Sequence, residues 1–301
     1  MPTTFGAQPA FWIWNIIAAF LHLANSAIMI VLFYTPDKDD VVHKDVCYNI
    51  TQEYAGWSRN NDTIPDVEED FNITVNRVYS HTLSLHWLIV TFHLLSFIFQ
   101  LIPALFDDAS PWRVPCLKSL EYPYIELVTK EGRNPIRFIE YAASASIMLV
   151  CIGLLTGIRD FSTLFMIAML CANTQMMGLL SEYDEKRWAE ITHTIIGWIT
   201  LMASYGIIWT YYGVANAQAP DGFNAPWFVH VIVISMFVLF NSFGLVHLRR
   251  VTSEKDSKNK PKKEKERKLG ELLYVSLSIG AKTLLGWLIY GSVMAMGKPC
   301  E

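Results

Sequence analysis

Charged residues are scarce in this chain: they make up 17% of it, against about 25% in an ordinary soluble domain. The deficit is local, because long apolar runs alternate with short polar ones, and what lies between the runs is too short for a separate soluble domain. The start, MPTTFGAQPA, lacks a basic segment and a small-residue cleavage site, so the first apolar run is expected to stay as a helix rather than leave as a signal peptide. Metal-ligand clusters, a phosphate-binding glycine loop and a nucleophile elbow are also missing, and an enzymatic reading has no support.

What is present is hydrophobic length. A run of about 20 apolar residues is long enough to cross a bilayer as a helix. Seven can be marked, at 10–34, 80–105, 136–157, 160–181, 190–214, 226–249 and 269–296. Arg159 and Glu182 crowd the edges of the fourth and fifth. The expected fold is all-α, a single bundle of seven transmembrane helices over 1–301, with a long loop at 36–79 and a basic loop at 250–268. The protein is therefore expected to be a multi-pass resident of the lipid bilayer.

Lysine and arginine placement sets the orientation of such a bundle. Seventeen of the 24 fall in the segments on the N-terminal side and six on the opposite side, which predicts a cytoplasmic N-terminus and an extracellular C-terminus. The 36–79 loop, then outside, is acidic and carries three glycosylation sequons at Asn49, Asn61 and Asn72. They point to a eukaryotic secretory route for a cellular or viral gene, against the alternative of chance occurrence in a polar loop. The run SEKDSKNKPKKEKERK reads as a solvated cytoplasmic loop, with attraction to anionic headgroups as the sharper alternative. At the face of a bilayer it has no use for nucleic acid.

Of five cysteines, Cys151 and Cys171 lie within spans as small core residues, and Cys116 faces the reducing side. Cys47 and Cys300 both land outside, and a disulfide between them is expected.

Ionisable residues inside spans are costly and usually functional. Lys282, in VSLSIGAKTLLGWLIYG, is too deep to reach the interface, and Glu140, in NPIRFIEYAASASIM, is a carboxylate well inside an apolar run. Buried alone, the amine would lose its proton and the carboxyl would gain one. Placed about 4 Å apart at an effective dielectric of about 20, they attract by roughly 4 kcal/mol. The plain reading is a structural ion pair between the third and seventh helices. The functional one is a lysine that condenses with an aldehyde as a Schiff base, with Glu140 as counter-ion. Ser278 lies one turn before Lys282 on the same face. His22 lies in mid-span, His93 and Gln100 share a face of the second helix, and Glu190 at the start of the fifth reads as an interfacial solvated carboxylate. A lone buried histidine is more often a packing residue than a proton carrier; several at one depth suggest a polar cavity. Phe240, Phe243 and Trp287 are aromatics that fill a core or wall a polyene.

Three stretches, NPIRFIEYAASASIM, VISMFVLFNSFGLV and LLYVSLSIGAKTLLGW, carry a resemblance to heliorhodopsins, and it extends over nearly all seven spans. The resemblance implies an all-trans retinal on Lys282, Glu140 as counter-ion and Ser278 as the serine beside the Schiff base. It also implies His22 in a cytoplasmic-side polar cavity, Asn173 near the chromophore and Trp287 in the pocket. Ser144, Met148 and Phe240 complete the expected lining. The inverted orientation and a homodimer whose first extracellular loop joins the interface are implied as well. One position departs from the pattern: Leu95-Ser96-Phe97-Ile98-Phe99-Gln100 ends in glutamine where the family's string ends in histidine. Glutamine takes up no proton, and His93 is the substitute.

Two functions remain. One is a photosensor whose slow conformational change a partner reads; the other is a light-gated proton conductor, for which Gln100 and Glu190 are the relevant residues. A G-protein-coupled receptor would put the basic segments on the wrong face, and it would have a helix 3 Asp-Arg-Tyr and a helix 7 Asn-Pro-x-x-Tyr. An outward pump usually has a carboxylate where Ser278 stands.

Overall fold

A computed structural model describes residues 11–34, 47–59, 71–106, 127–220, 225–256 and 260–294. Its helices are α1 (Phe11–Tyr34), α2 (Leu85–Phe106), α3 (Pro135–Leu155), α4 (Phe161–Tyr183), α5 (Arg187–Ala217), α6 (Trp227–Asp256) and α7 (Lys260–Ile289). Each of the seven is long and apolar enough to cross a membrane. Two π-turns, Leu127–Glu131 and Tyr290–Met294, flank α3 and α7. In α3, 67% of the apolar span is buried, against 17% in α4, which makes α3 the central helix and leaves α4 to face lipid.

The segment between α1 and α2, read from sequence as a loop, contains an antiparallel hairpin of β1 (Cys47–Arg59) and β2 (Phe71–Ser84). β2 takes residues 80–84, so α2 starts later than its apolar run; valine, threonine and tyrosine in NITVNRVYSHT favour the pleated form. The hairpin is tied to the turn between α3 and α4. Thr51 N donates to Arg159 O at 2.9 Å, Gln52 and Ser162 exchange side-chain bonds, and the Arg159 guanidinium sits 4.0 Å from the Tyr48 ring centroid. That turn needs Gly157, whose φ of 96° follows the end of α3, and Arg159 Nη1 caps the carbonyls of Leu154 and Ile158. This is the hairpin end of the bundle.

At the opposite end the basic segment expected as a loop at 250–268 is largely helical: α6 runs to Asp256 and α7 begins at Lys260, with 257–259 outside the described residues. Lysine, glutamate and arginine are good helix formers, and Glu264–Lys268 (3.0 Å) and Arg249–Glu266 (3.2 Å) ion pairs support the extension.

Cys151 and Cys171 are buried free thiols. Cys47 is disulfide-bonded; Cys300, the expected partner, lies outside the described residues, as does Asn61. Asn49 is exposed on β1 and accepts from Thr82 Oγ1 at 3.4 Å, and Asn72 lies on β2.

Candidate retinal site

α7 carries Lys282 and, one turn nearer the opposite end, Ser278; α3 brings Glu140 and α2 brings Ser96 to the same point. Lys282 Nζ donates to Glu140 Oε1 at 2.5 Å, to Ser96 Oγ at 2.5 Å and to Ser278 Oγ at 3.0 Å. Those three bonds use every proton an ammonium has. Ser96 Oγ in turn has Glu140 Oε1 at 2.7 Å and its own helix's Phe92 O at 3.0 Å as acceptors. All four residues are at most 3% exposed. Removing one member of such a pair strands a charge in the interior at a cost of about 3–5 kcal/mol.

From Lys282 a cavity runs between α3, α4, α5, α6 and α7. Ser144, Met148 and Phe240, expected as lining, all line it, as do Phe243 and Ser278. Its wall is mostly apolar, with one amine at its α7 side and a carboxylate hydrogen-bonded to that amine. This suits an elongated hydrocarbon with an aldehyde at one terminus.

Trp287 and Asn173 are not on the wall of this cavity. Trp287 is 38% exposed, and its Nε1 donates to Asn25 Oδ1 at 2.9 Å on the α1–α7 face; five residues beyond Lys282 the helix has turned its side chain out of the cavity. Asn173 is half-buried beside the cavity; its neighbours Thr174 and Gln175 supply the wall.

The histidines do meet. His22 Nδ1 and His93 Nδ1 are 3.0 Å apart, both rings are fully buried, and neither Nε2 has a partner among the described residues. His93 faces Gly286, where a Cβ would stand 3.1 Å from its Nε2. Gly286 is one turn beyond Lys282 toward the hairpin end, so the pair lies on that side of the amine. Gln100 lies on the other side, one turn past Ser96, lining a second, small cavity with Asn15, Glu140 and Glu271. Glu190, expected at a solvated interface, is 8% exposed at the start of α5.

Two features escaped the sequence reading. Ser96 lay inside a quoted string, but α-helical spacing alone does not tell which face of α2 meets α3. The second is an ion cluster at the opposite end. Arg137 and Arg250 both bond Glu182 and Glu271, Asn134 Nδ2 donates to Glu271 Oε2 at 2.8 Å, and the four charged side chains are 3–5% exposed. In sequence these residues lie at span edges, where charges are usually solvated; the mutual neutrality of two arginines and two glutamates was the available signal.

A family model described as Heliorhodopsin matches residues 11–294. Among solved structures, a cyanorhodopsin from the cyanobacterium Tolypothrix sp. NIES-4075 superposes with a TM-score of 0.57 at 11% identity, covering 96% of this chain and 97% of that one. The transmembrane domain and linker region of Salpingoeca rosetta rhodopsin phosphodiesterase superposes with a TM-score of 0.58 at 13% identity, over 96% and 72%. At these identities the two structures show a shared fold. No curated protein matches the sequence. With the family model spanning nearly the whole chain, the protein belongs to the heliorhodopsin family of retinal-binding, light-responsive membrane proteins.

Proposed function

We propose that Lys282 carries all-trans retinal as a protonated Schiff base and that Glu140 is its counter-ion. The observation that supports this most is the buried Lys282–Glu140 contact at the α7 side of the apolar cavity. Bound retinal would supply the photoisomerisable double bonds. The protein's own groups do the rest. Glu140 holds the cationic nitrogen and takes its one proton's hydrogen bond, Ser96 donates to Glu140, and Ser278 stands one turn along α7 beside the nitrogen. His22 and His93 are the acceptor for the proton released after light, a role Gln100 cannot take.

In this reading the N-terminus is cytoplasmic, the hairpin end is extracellular and contributes to a homodimer, and a partner protein reads the slow change. A second reading, light-gated proton conduction, is favoured by the polar groups on both sides of Lys282: the histidine pair toward the hairpin end and the Gln100 cavity toward the other.

The apo-protein supplied with all-trans retinal should develop a visible band that Lys282→Ala abolishes. In Glu140→Gln the band should shift or bleach at lower pH. A colourless wild type, or colour surviving Lys282→Ala, would refute the assignment. Voltage-clamp recording under illumination separates the readings: a photocurrent lost in Glu140→Gln means conduction, and its absence from a coloured protein means sensing.

A further inference from the structure

Most of the cavity wall is hydrocarbon, but its α4–α5 side carries Thr174, Gln175, Thr194 and Trp198. The threonine hydroxyls are engaged: Thr174 with Leu170 O at 3.0 Å and Thr200 Oγ1 at 2.9 Å, Thr194 with Glu190 O at 2.8 Å. Trp198 is different. Its Nε1 is buried and has no acceptor among the described residues.

The indole is held in place. It lies against Gly244 of α6, where any Cβ would collide with the ring, and Gly197 beside it lets α5 close onto the backbone of Thr174. α5 packs on α4 and α6, and α6 packs on α7, so Trp198 and Lys282 line the same cavity from helices with α6 between them. An indole N–H can only donate, and a buried donor without an acceptor is destabilising. A hydrocarbon ring cannot relieve that; an oxygen on the ring can.

We propose that the site is built for a retinal hydroxylated on its ring, with Trp198 Nε1 donating to that hydroxyl at the end opposite the aldehyde. Trp198 is then a specificity-determining residue. The inference rests on the reading that Lys282 binds the aldehyde.

The test is competition. Apo-protein is given equal amounts of all-trans retinal and its ring-hydroxylated analogue, and the bound chromophores are extracted as oximes and quantified. The hydroxylated aldehyde should be taken up in roughly 3- to 10-fold excess, the worth of one neutral hydrogen bond. Trp198→Phe, which keeps an aromatic wall, should form pigment with both and lose the excess. Ultraviolet resonance Raman of the wild type should report a stronger indole N–H bond with the hydroxylated chromophore alone. Equal uptake by the wild type, an excess that persists in Trp198→Phe, or an indole band indifferent to the hydroxyl would overturn the proposal. The two wild-type measurements decide it without the variant. Visible pigment with equal uptake sinks this inference and leaves the Lys282 reading standing; no pigment with either aldehyde sinks both.

Discussion

Ser96 and Lys282 are hydrogen-bonded across 186 positions of sequence, with 2.5 Å between Oγ and Nζ. The same hydroxyl donates to Glu140 Oε1 at 2.7 Å, so one small side chain on α2 serves both members of the ion pair. Its removal weakens the cation and the carboxylate together. Hydrogen bonds to charged groups contribute about 1.5–3 kcal/mol, or about one to two pH units. Ser96→Ala should therefore form pigment whose visible band bleaches about one to two pH units below the wild type. A spectrophotometric titration checks this, and an unchanged midpoint would show that Glu140 alone holds the charge.

The histidine pair has an internal asymmetry. An Nδ1–Nδ1 hydrogen bond requires one ring to donate and the other to accept, so the neutral pair holds one tautomer of each kind. Replacing either residue by phenylalanine leaves the other Nδ1 buried without its bond, at about 1–3 kcal/mol. Replacing both removes the unsatisfied atom. His22→Phe and His93→Phe should each lower the thermal midpoint, and the double variant should lose less than the two losses combined. Strict additivity would mean that the rings do not share a proton. In flash photolysis each variant should also slow the loss of the Schiff-base proton.

What the sequence made legible, and what it hid, divides along a physical line. Apolar length alone located the seven spans, because a bilayer imposes it. Lys282 and Glu140 stood out because a charge buried in an apolar run is costly without a partner, whether the pair is structural or functional. The orientation of Trp287 was not legible, because which face of α7 lines the cavity depends on how α7 rotates against α1, and sequence does not record that rotation. The hairpin was hidden by its polarity: NITVNRVYSHT alternates without an apolar face that demands a core. Arg137, Glu182, Arg250 and Glu271 were hidden for the opposite reason. Each sits where a single charge would be solvated, and only tertiary packing makes the four a buried, neutral cluster.

That cluster ties α3, α4, α6 and α7 together at the opposite end. Glu271→Gln keeps the shape and removes one negative charge, leaving two arginines facing one carboxylate. Breaking a buried pair by removing one partner costs about 3–5 kcal/mol. The variant should bleach at a markedly lower temperature than the wild type, with its visible maximum little changed, because Ser278 and Lys282 lie farther along α7. A wild-type melting point would mean that water reaches the cluster and screens it.

At the hairpin end, Tyr48 supplies a pH dependence. Burial raises its phenol above the ordinary value near 10, and the facing Arg159 guanidinium opposes that rise without cancelling it. A group whose folded pKa exceeds its unfolded one contributes stability that is complete below the unfolded value and lost as pH climbs through the folded value. The docked hairpin should therefore hold its full stability up to about pH 10 and weaken above it, because the unfolded phenol ionises first. Tyr48→Phe has no proton to lose. Thermal midpoints measured from neutral pH into this alkaline range should fall for the wild type and fall less for Tyr48→Phe. Parallel curves would assign the alkaline loss to other groups and leave Tyr48 a packing residue under Arg159.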